Sequence, residues 1–140
     1  MVDCAWDYGN QGCYGGWREW AFEYLKTHKL ETEKDYPYTA KEGTCKVDPS
    51  KGKVSVNSFK RLTPRSAFQF KAGLSHSALA VGVNSYADAF LFYDSGIVSI
   101  KDCKGDSLDD LDHAVVAIGW GKDGDNEYII IKNSFGTNWG

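Results

Sequence analysis

Leu111-Asp112-His113-Ala114-Val115-Val116-Ala117-Ile118-Gly119-Trp120-Gly121, followed by Tyr128-Ile129-Ile130-Ile131-Lys132-Asn133-Ser134-Phe135-Gly136-Thr137-Asn138-Trp139-Gly140, is the stretch whose reading decides the fold. It puts a histidine at the mouth of one apolar strand and an asparagine at the end of the next. Such a pair suits an imidazole that moves protons through one nitrogen while a neutral amide holds the other, fixing tautomer and rotation without adding negative charge.

Working outward, the apolar runs Leu79 to Val83, Ala89 to Tyr93, Ala114 to Gly119 and Tyr128 to Ile131 read as strands, as does the alternation Val54-Ser55-Val56. Thr63-Pro64 reads as the N-cap and first residue of a short helix. In the first half, Trp17, Trp20, Ala21, Tyr24 and Leu25 form the stripe of an amphipathic helix within Tyr14 to His28, which leaves Arg18, Glu19, Glu23 and Lys26 for solvent. From Thr32 to Lys53 the chain is polar and rich in turn residues, and it predicts ordered loop. Helix first and sheet later give an α+β chain in two lobes, with the change of character near residue 60. No internal repeat or low-complexity tract is present.

The 140 residues, 42% hydrophobic and 14% aromatic, exclude a disordered or collagen-like chain. A net charge of −3 without a long basic run gives no footprint for nucleic acid or an anionic membrane surface. No apolar run reaches the roughly 18 residues that span a bilayer, and Asp3 and Asp7 follow Met1 where a secretory signal would be basic and then apolar.

Cysteines stand at 4, 13, 45 and 103. In an oxidising compartment they allow three pairings, all open on sequence alone. With His113 they are also conceivable zinc ligands, but none forms the close Cys-Cys or His-His spacing that such sites use, so no metal is expected. His28 and His76 lack any catalytic context and read as surface or packing residues.

Val2-Asp3-Cys4, then Gly9-Asn10-Gln11-Gly12-Cys13-Tyr14-Gly15-Gly16, then Glu33-Lys34-Asp35-Tyr36-Pro37-Tyr38 with Cys45, then Asp112-His113 and Lys132-Asn133-Ser134 follow one another in order from the first residues to the last. Together they resemble the papain-like, cathepsin L-like cysteine proteases. The resemblance implies an incomplete two-lobe fold, with residues 1–60 the remnant of a helical lobe and 61–140 an antiparallel, β-barrel-like lobe, both forming part of one peptidase domain. It implies an endopeptidase working through a Cys-His-Asn mechanism and an acyl-enzyme thioester, with no cofactor. His113 would be the base and Asn133 its orienter. The family's nucleophile lies in a C-G-S-C-W type signature, which places it about 17 to 37 residues before residue 1. The chain by itself is therefore expected to be inactive, since both that cysteine and the oxyanion-stabilising glutamine lie upstream. Cys4 would bridge to Cys45, while Cys13 and Cys103 would pair outside the chain.

By position, Gly15 and Gly16 would meet an extended peptide backbone, Gly16 because a side chain would block its approach. Trp17 and Gly82 would face each other across the pocket for the residue two before the scissile bond, with Arg18 beside it; the glycine at 82 implies room for Leu or Phe. Asp112 joins these substrate contacts. The loop Lys104 to Asp112 carries Asp106, Asp109, Asp110 and Asp112, and predicts a preference for basic residues after the scissile bond. Phe135 and Trp139 would support catalysis by shielding the His-Asn bond, and Phe135 and Ile129 stand where the family usually has Trp, giving a smaller shield. The resemblance implies a monomer acting on protein or peptide substrates in a lysosomal, vacuolar or extracellular setting, with a pro-segment and cystatin-like inhibitors as further partners. The other function compatible with these residues is that of a non-catalytic papain-like homologue serving binding or structure.

Overall fold

A computed structural model describes residues 1–99, 101–103 and 107–140. Its contacts divide into two units, Met1–Arg61 and Leu62–Gly140.

In the first unit the helical stripe begins later than its periodicity suggests. Gly12–Tyr14 form a 3-10 turn that Gly15 closes at φ 104°, a backbone conformation L side chains rarely adopt. Trp17 is extended, and α1 runs over Arg18–Thr27. The helix buries its second half: Tyr24 and Leu25 pack with Ala5, and Cys4, Tyr8, Phe22, Leu30 and Val56 close around them. Trp17 and Trp20 stay 47% and 37% exposed, so the first turn of the stripe is not covered. His28 is a packing residue, its ring stacked on Tyr24 at 4.3 Å and its Nδ1 bonded to the Thr27 hydroxyl at 2.9 Å. His76 is exposed.

Residues 32–53 contain neither helix nor strand, and side chains hold them instead. Cys4 is disulfide-bonded to Cys45. Asp3 accepts from the Tyr36 hydroxyl at 2.7 Å and the Gly43 amide at 2.8 Å, and the Tyr36 oxygen accepts from the Lys46 amide at 3.2 Å. Val54 makes only an isolated antiparallel bridge to Leu30 and is 57% exposed, so the predicted strand at 54–56 does not form. An alternation of that length has too few cross-strand pairs to sustain itself.

The Tyr36 hydroxyl holds the Asp3 carboxyl below its ordinary 3.8, with the Gly43 amide adding to the effect. A depressed carboxyl contributes stability that is present above its ordinary value and lost as pH falls through the folded one. Burial and the bond to Asp3 raise the Tyr36 hydroxyl above 10.0, a contribution present below that value and lost as pH rises beyond it. Tyr36→Phe is therefore expected to flatten the acid limb of the first unit's stability, read as the urea midpoint between pH 5 and about 2. An unchanged acid limb would count against the Asp3–Tyr36 clamp.

In the second unit Thr63-Pro64 does not open the helix. Arg65 intervenes at φ 61°, in the left-handed region, and α2 covers Ala67–Leu74 with Ser66 as its cap, the Ser66 Oγ accepting from the Gln69 amide. Strand β1, Leu79–Val83, pairs antiparallel with β2, His113–Asp123, which pairs antiparallel with β3, Asn126–Lys132. The strand order is β1-β2-β3, with a register shift between Ala117 and Gly119. Among the described residues this is an open sheet and not a closed barrel. Tyr128 lies across Gly121, where a Cβ would come within 2.5 Å of its hydroxyl, so a side chain there would have to push the Tyr128 ring aside.

The run Ala89 to Tyr93 is not a strand. Its residues begin a short helix, α3, Asp88–Leu91, in which the Ala87 carbonyl accepts from the Phe90 and Leu91 amides at 2.9 Å each. Short apolar runs fit a buried helical turn as well as a strand, and packing decides between them. Here Ala87, Phe90 and Val115 are buried together, lined by Val81, Val83, Ile131 and Trp139. The far end of the hairpin is held by α2, where the Lys71 ammonium sits 4.6 Å from the Trp120 ring and 2.5 Å from Glu127.

Candidate active site

The antiparallel register sets the site. His113 opens β2 opposite Val83, the last residue of β1, and β3 ends at Lys132, one residue before Asn133. The two side chains meet at 2.8 Å, His113 Nε2 to Asn133 Oδ1. The Ser134 amide donates to the same oxygen at 2.8 Å, which identifies that atom as the acceptor. Nε2 therefore carries the proton and donates it, and Nδ1 is the nitrogen left to take and give one. Asn133 Nδ2 is buried and has no partner among the described residues.

Two aromatic rings pack on the partly buried imidazole. Phe135 is stacked on it with centroids 4.8 Å apart and planes at 26°, and Phe90 meets it edgewise at 6.4 Å and 71°. Trp139 does not stack on His113 directly. Its indole donates to the Phe90 carbonyl at 2.8 Å, and its ring packs on Phe90 at 5.2 Å and Phe135 at 5.8 Å. Phe90 was not legible as a site residue because its run reads as strand. The signal that could have found it is helical spacing, since Phe90 and Tyr93, three apart, both pack against Trp139.

Ile129 is not part of the shield. It pairs with Trp120, seven strand residues from His113, which at about 3.3 Å per residue is roughly 20 Å away. Its substitution bears on the hairpin's far end.

Asp112 is engaged within the fold. Its amide donates to the Val83 carbonyl at 3.1 Å, and its Oδ1 accepts from the Ser85 amide at 2.7 Å, fastening the turn after β1 to the residue before the histidine. Gly82 pairs with Ala114, next to the Val83–His113 pair. In the acidic loop Asp106 lies outside the described residues, and Asp110 closes a capping box with Ser107.

Gly15, Gly16 and Trp17 belong to the first unit. A Cβ on Gly16 would fall 1.9 Å from Asn10 Oδ1 and 3.1 Å from Asn10 Cα, so Asn10 already requires glycine there. The Arg18 guanidinium lies 6.0 Å from the Trp17 ring centroid. Cys13 and Cys103 are free and exposed, with the Cys13 amide donating to Glu42 at 2.8 Å. Among the described residues no group of His, Cys, Asp and Glu side chains assembles as a metal site, and no helix is long and apolar enough to cross a membrane.

Residues 1–140 match the profile of the papain family cysteine proteases. The chain is 42% identical over 142 residues to a cathepsin L-like proteinase of Fasciola hepatica, 36% to digestive cysteine proteinase 3 of Homarus americanus, and 35% over 145 residues to procathepsin L of Rattus norvegicus. Each alignment takes in 100% of this chain and 42%, 43% and 42% of the relative, so the chain spans less than half the length of these curated relatives. Among solved structures, digestive procathepsin L 3 of Tenebrio molitor larval midgut superposes with a TM-score of 0.90 at 31% identity, over 99% of this chain and 44% of that one. Digestive procathepsin L2 from the same source gives 0.87 at 28% identity, over 99% and 43%. The strands that carry His113 to Asn133 are thus part of a papain-like fold, and the chain belongs to the papain family of cysteine proteases.

Proposed function

We propose that this chain is the base-bearing part of a cysteine endopeptidase, which hydrolyses peptide bonds through a thioester acyl-enzyme. The observation that carries this reading is the 2.8 Å bond from His113 Nε2 to Asn133 Oδ1, which leaves Nδ1 to serve a thiol. In the proposed cycle His113 takes the thiol proton, gives it to the leaving amine, and then deprotonates the water that clears the acyl group. Asn133 holds the Nε2 proton, and so keeps Nδ1 as the nitrogen that exchanges protons. In this reading the nucleophilic cysteine and the oxyanion donor would come from residues outside these 140.

Residues 1–61 would be the remnant of the helical lobe and 62–140 the β-rich lobe of the peptidase domain. In the first unit Gly15, Gly16 and Trp17 would meet the non-primed part of an extended peptide, and in the second Gly82 would leave room for Leu or Phe two residues before the scissile bond. Asp112 would border the primed side. Its engaged carboxylate supports a role in shaping the turn at 84–86 as much as one in direct contact. A pro-segment is a fitting partner, since similar proteins are known as procathepsins. The Cys4–Cys45 disulfide supports a lysosomal, vacuolar or extracellular setting.

The test is turnover of a fluorogenic peptide amide with Leu or Phe at that position by the full-length protein. Hydrolysis abolished by thiol alkylation is the expected result. Absence of hydrolysis, or hydrolysis that survives alkylation, would overturn the proposal.

A further inference from the structure

We infer that Phe90 is a positioning residue for His113, an inference that rests on the proteolytic reading above. Four observations converge on it. Phe90 is 7% exposed, whereas Phe135, the ring stacked on the imidazole, is 41% exposed. Phe135 is half-exposed, so a buried ring packed on both it and the imidazole adds a restraint that Phe135 alone does not supply. Phe90 does so, meeting His113 at 6.4 Å, Phe135 at 6.2 Å and Trp139 at 5.2 Å. Its carbonyl accepts the Trp139 indole N–H at 2.8 Å, so ring and backbone of one residue anchor the segment after Asn133 from two directions. Phe90 itself is seated by the one-turn helix α3, whose amides return to the carbonyl of the fully buried Ala87.

The consequence is directional. Asn133 restrains the imidazole at Nε2 only, which leaves the ring free to swing about that bond. Phe135 bounds one face and Phe90 bounds the ring from a second direction, so that Nδ1 keeps one heading. Phe135, Phe90 and Trp139 pack as one cluster beside the partly buried Nε2–Oδ1 bond. Without the aromatic edge at 90, His113 would still bond to Asn133 but would spend less time aimed at the thiol. That loss falls on the chemical step and not on peptide binding, because Phe90 is buried and its ring is taken up by His113, Phe135 and Trp139.

Phe90→Met, which keeps volume and burial but removes the ring, and Phe90→Leu should be compared with wild type in the full-length protein. The expected result is a fall in kcat of about 10-fold with KM within a factor of about 2. In NMR spectra of isotope-labelled histidine, the His113 Nε2 proton should exchange faster with water, while the His28 and His76 signals stay put. Unchanged kcat and exchange in folded Phe90→Met protein, or a change in KM alone, would overturn the assignment. If wild type shows no peptidase activity, the proteolytic reading fails separately. The imidazole exchange rate then still decides whether Phe90 positions the ring.

Discussion

Replacing His113 by alanine in the full-length protein is expected to lower kcat/KM for peptide amides on the order of 10⁴-fold or more, because one imidazole serves thiolate formation, leaving-group protonation and deacylation. Asn133→Ala should cost less, about 100-fold, since the ring and its proton remain and only its orientation is lost. The difference follows from the geometry. Asn133 Oδ1 accepts from both Nε2 and the Ser134 amide, so its removal frees the ring and loosens the chain after β3, but Phe135 and Phe90 still bound the imidazole. Steady-state kinetics of both variants decide the point. Equal losses would mean that Asn133 acts in the chemistry itself, and a His113→Ala enzyme that retains turnover would remove His113 from the mechanism.

The second large effect concerns stability. Reducing the Cys4–Cys45 bond, or changing both residues to serine, is expected to cost about 4 kcal/mol, the loop-closure entropy of a 41-residue separation. The first unit has little to set against that. Its buried core is Ala5, Tyr24 and Leu25, and residues 32–53 contribute no helix or strand. Hydrogen exchange or limited proteolysis, with and without reductant, should show residues 1–61 opening well before residues 62–140. Equal protection of both units after reduction would show that the Asp3–Tyr36–Gly43 clamp suffices without the disulfide.

The elements that could be read from the chain are those in which pattern and packing agree. Strand β2 shows its alternation openly, with Val115 and Ala117 buried between exposed neighbours, and His113 and Asn133 lie at the ends of adjoining strands. The misreadings share a cause: where a segment is short, its conformation is set by what packs on it. Ala89 to Tyr93 is as apolar as a strand, but the buried Ala87 and the Trp139 indole make it a helical turn, and this hid Phe90. Thr63-Pro64 has the composition of a helix start, yet the left-handed Arg65 shifts the cap to Ser66. The glycine at 16 needs no ligand to explain it once Asn10 is seen against it, a contact no local pattern reveals. Ile129 drew attention by type, and register alone removes it from the site.

The most direct measurement is the intact mass and peptide map of full-length protein treated with a peptidyl epoxide that alkylates activated thiols. The expected result is one adduct, on a cysteine other than Cys4, Cys13, Cys45 and Cys103, and its loss in the His113→Ala variant. An adduct on Cys13 or Cys103, or labelling that does not depend on His113, would contradict the assignment of this chain as the base and orienter of a Cys-His-Asn peptidase.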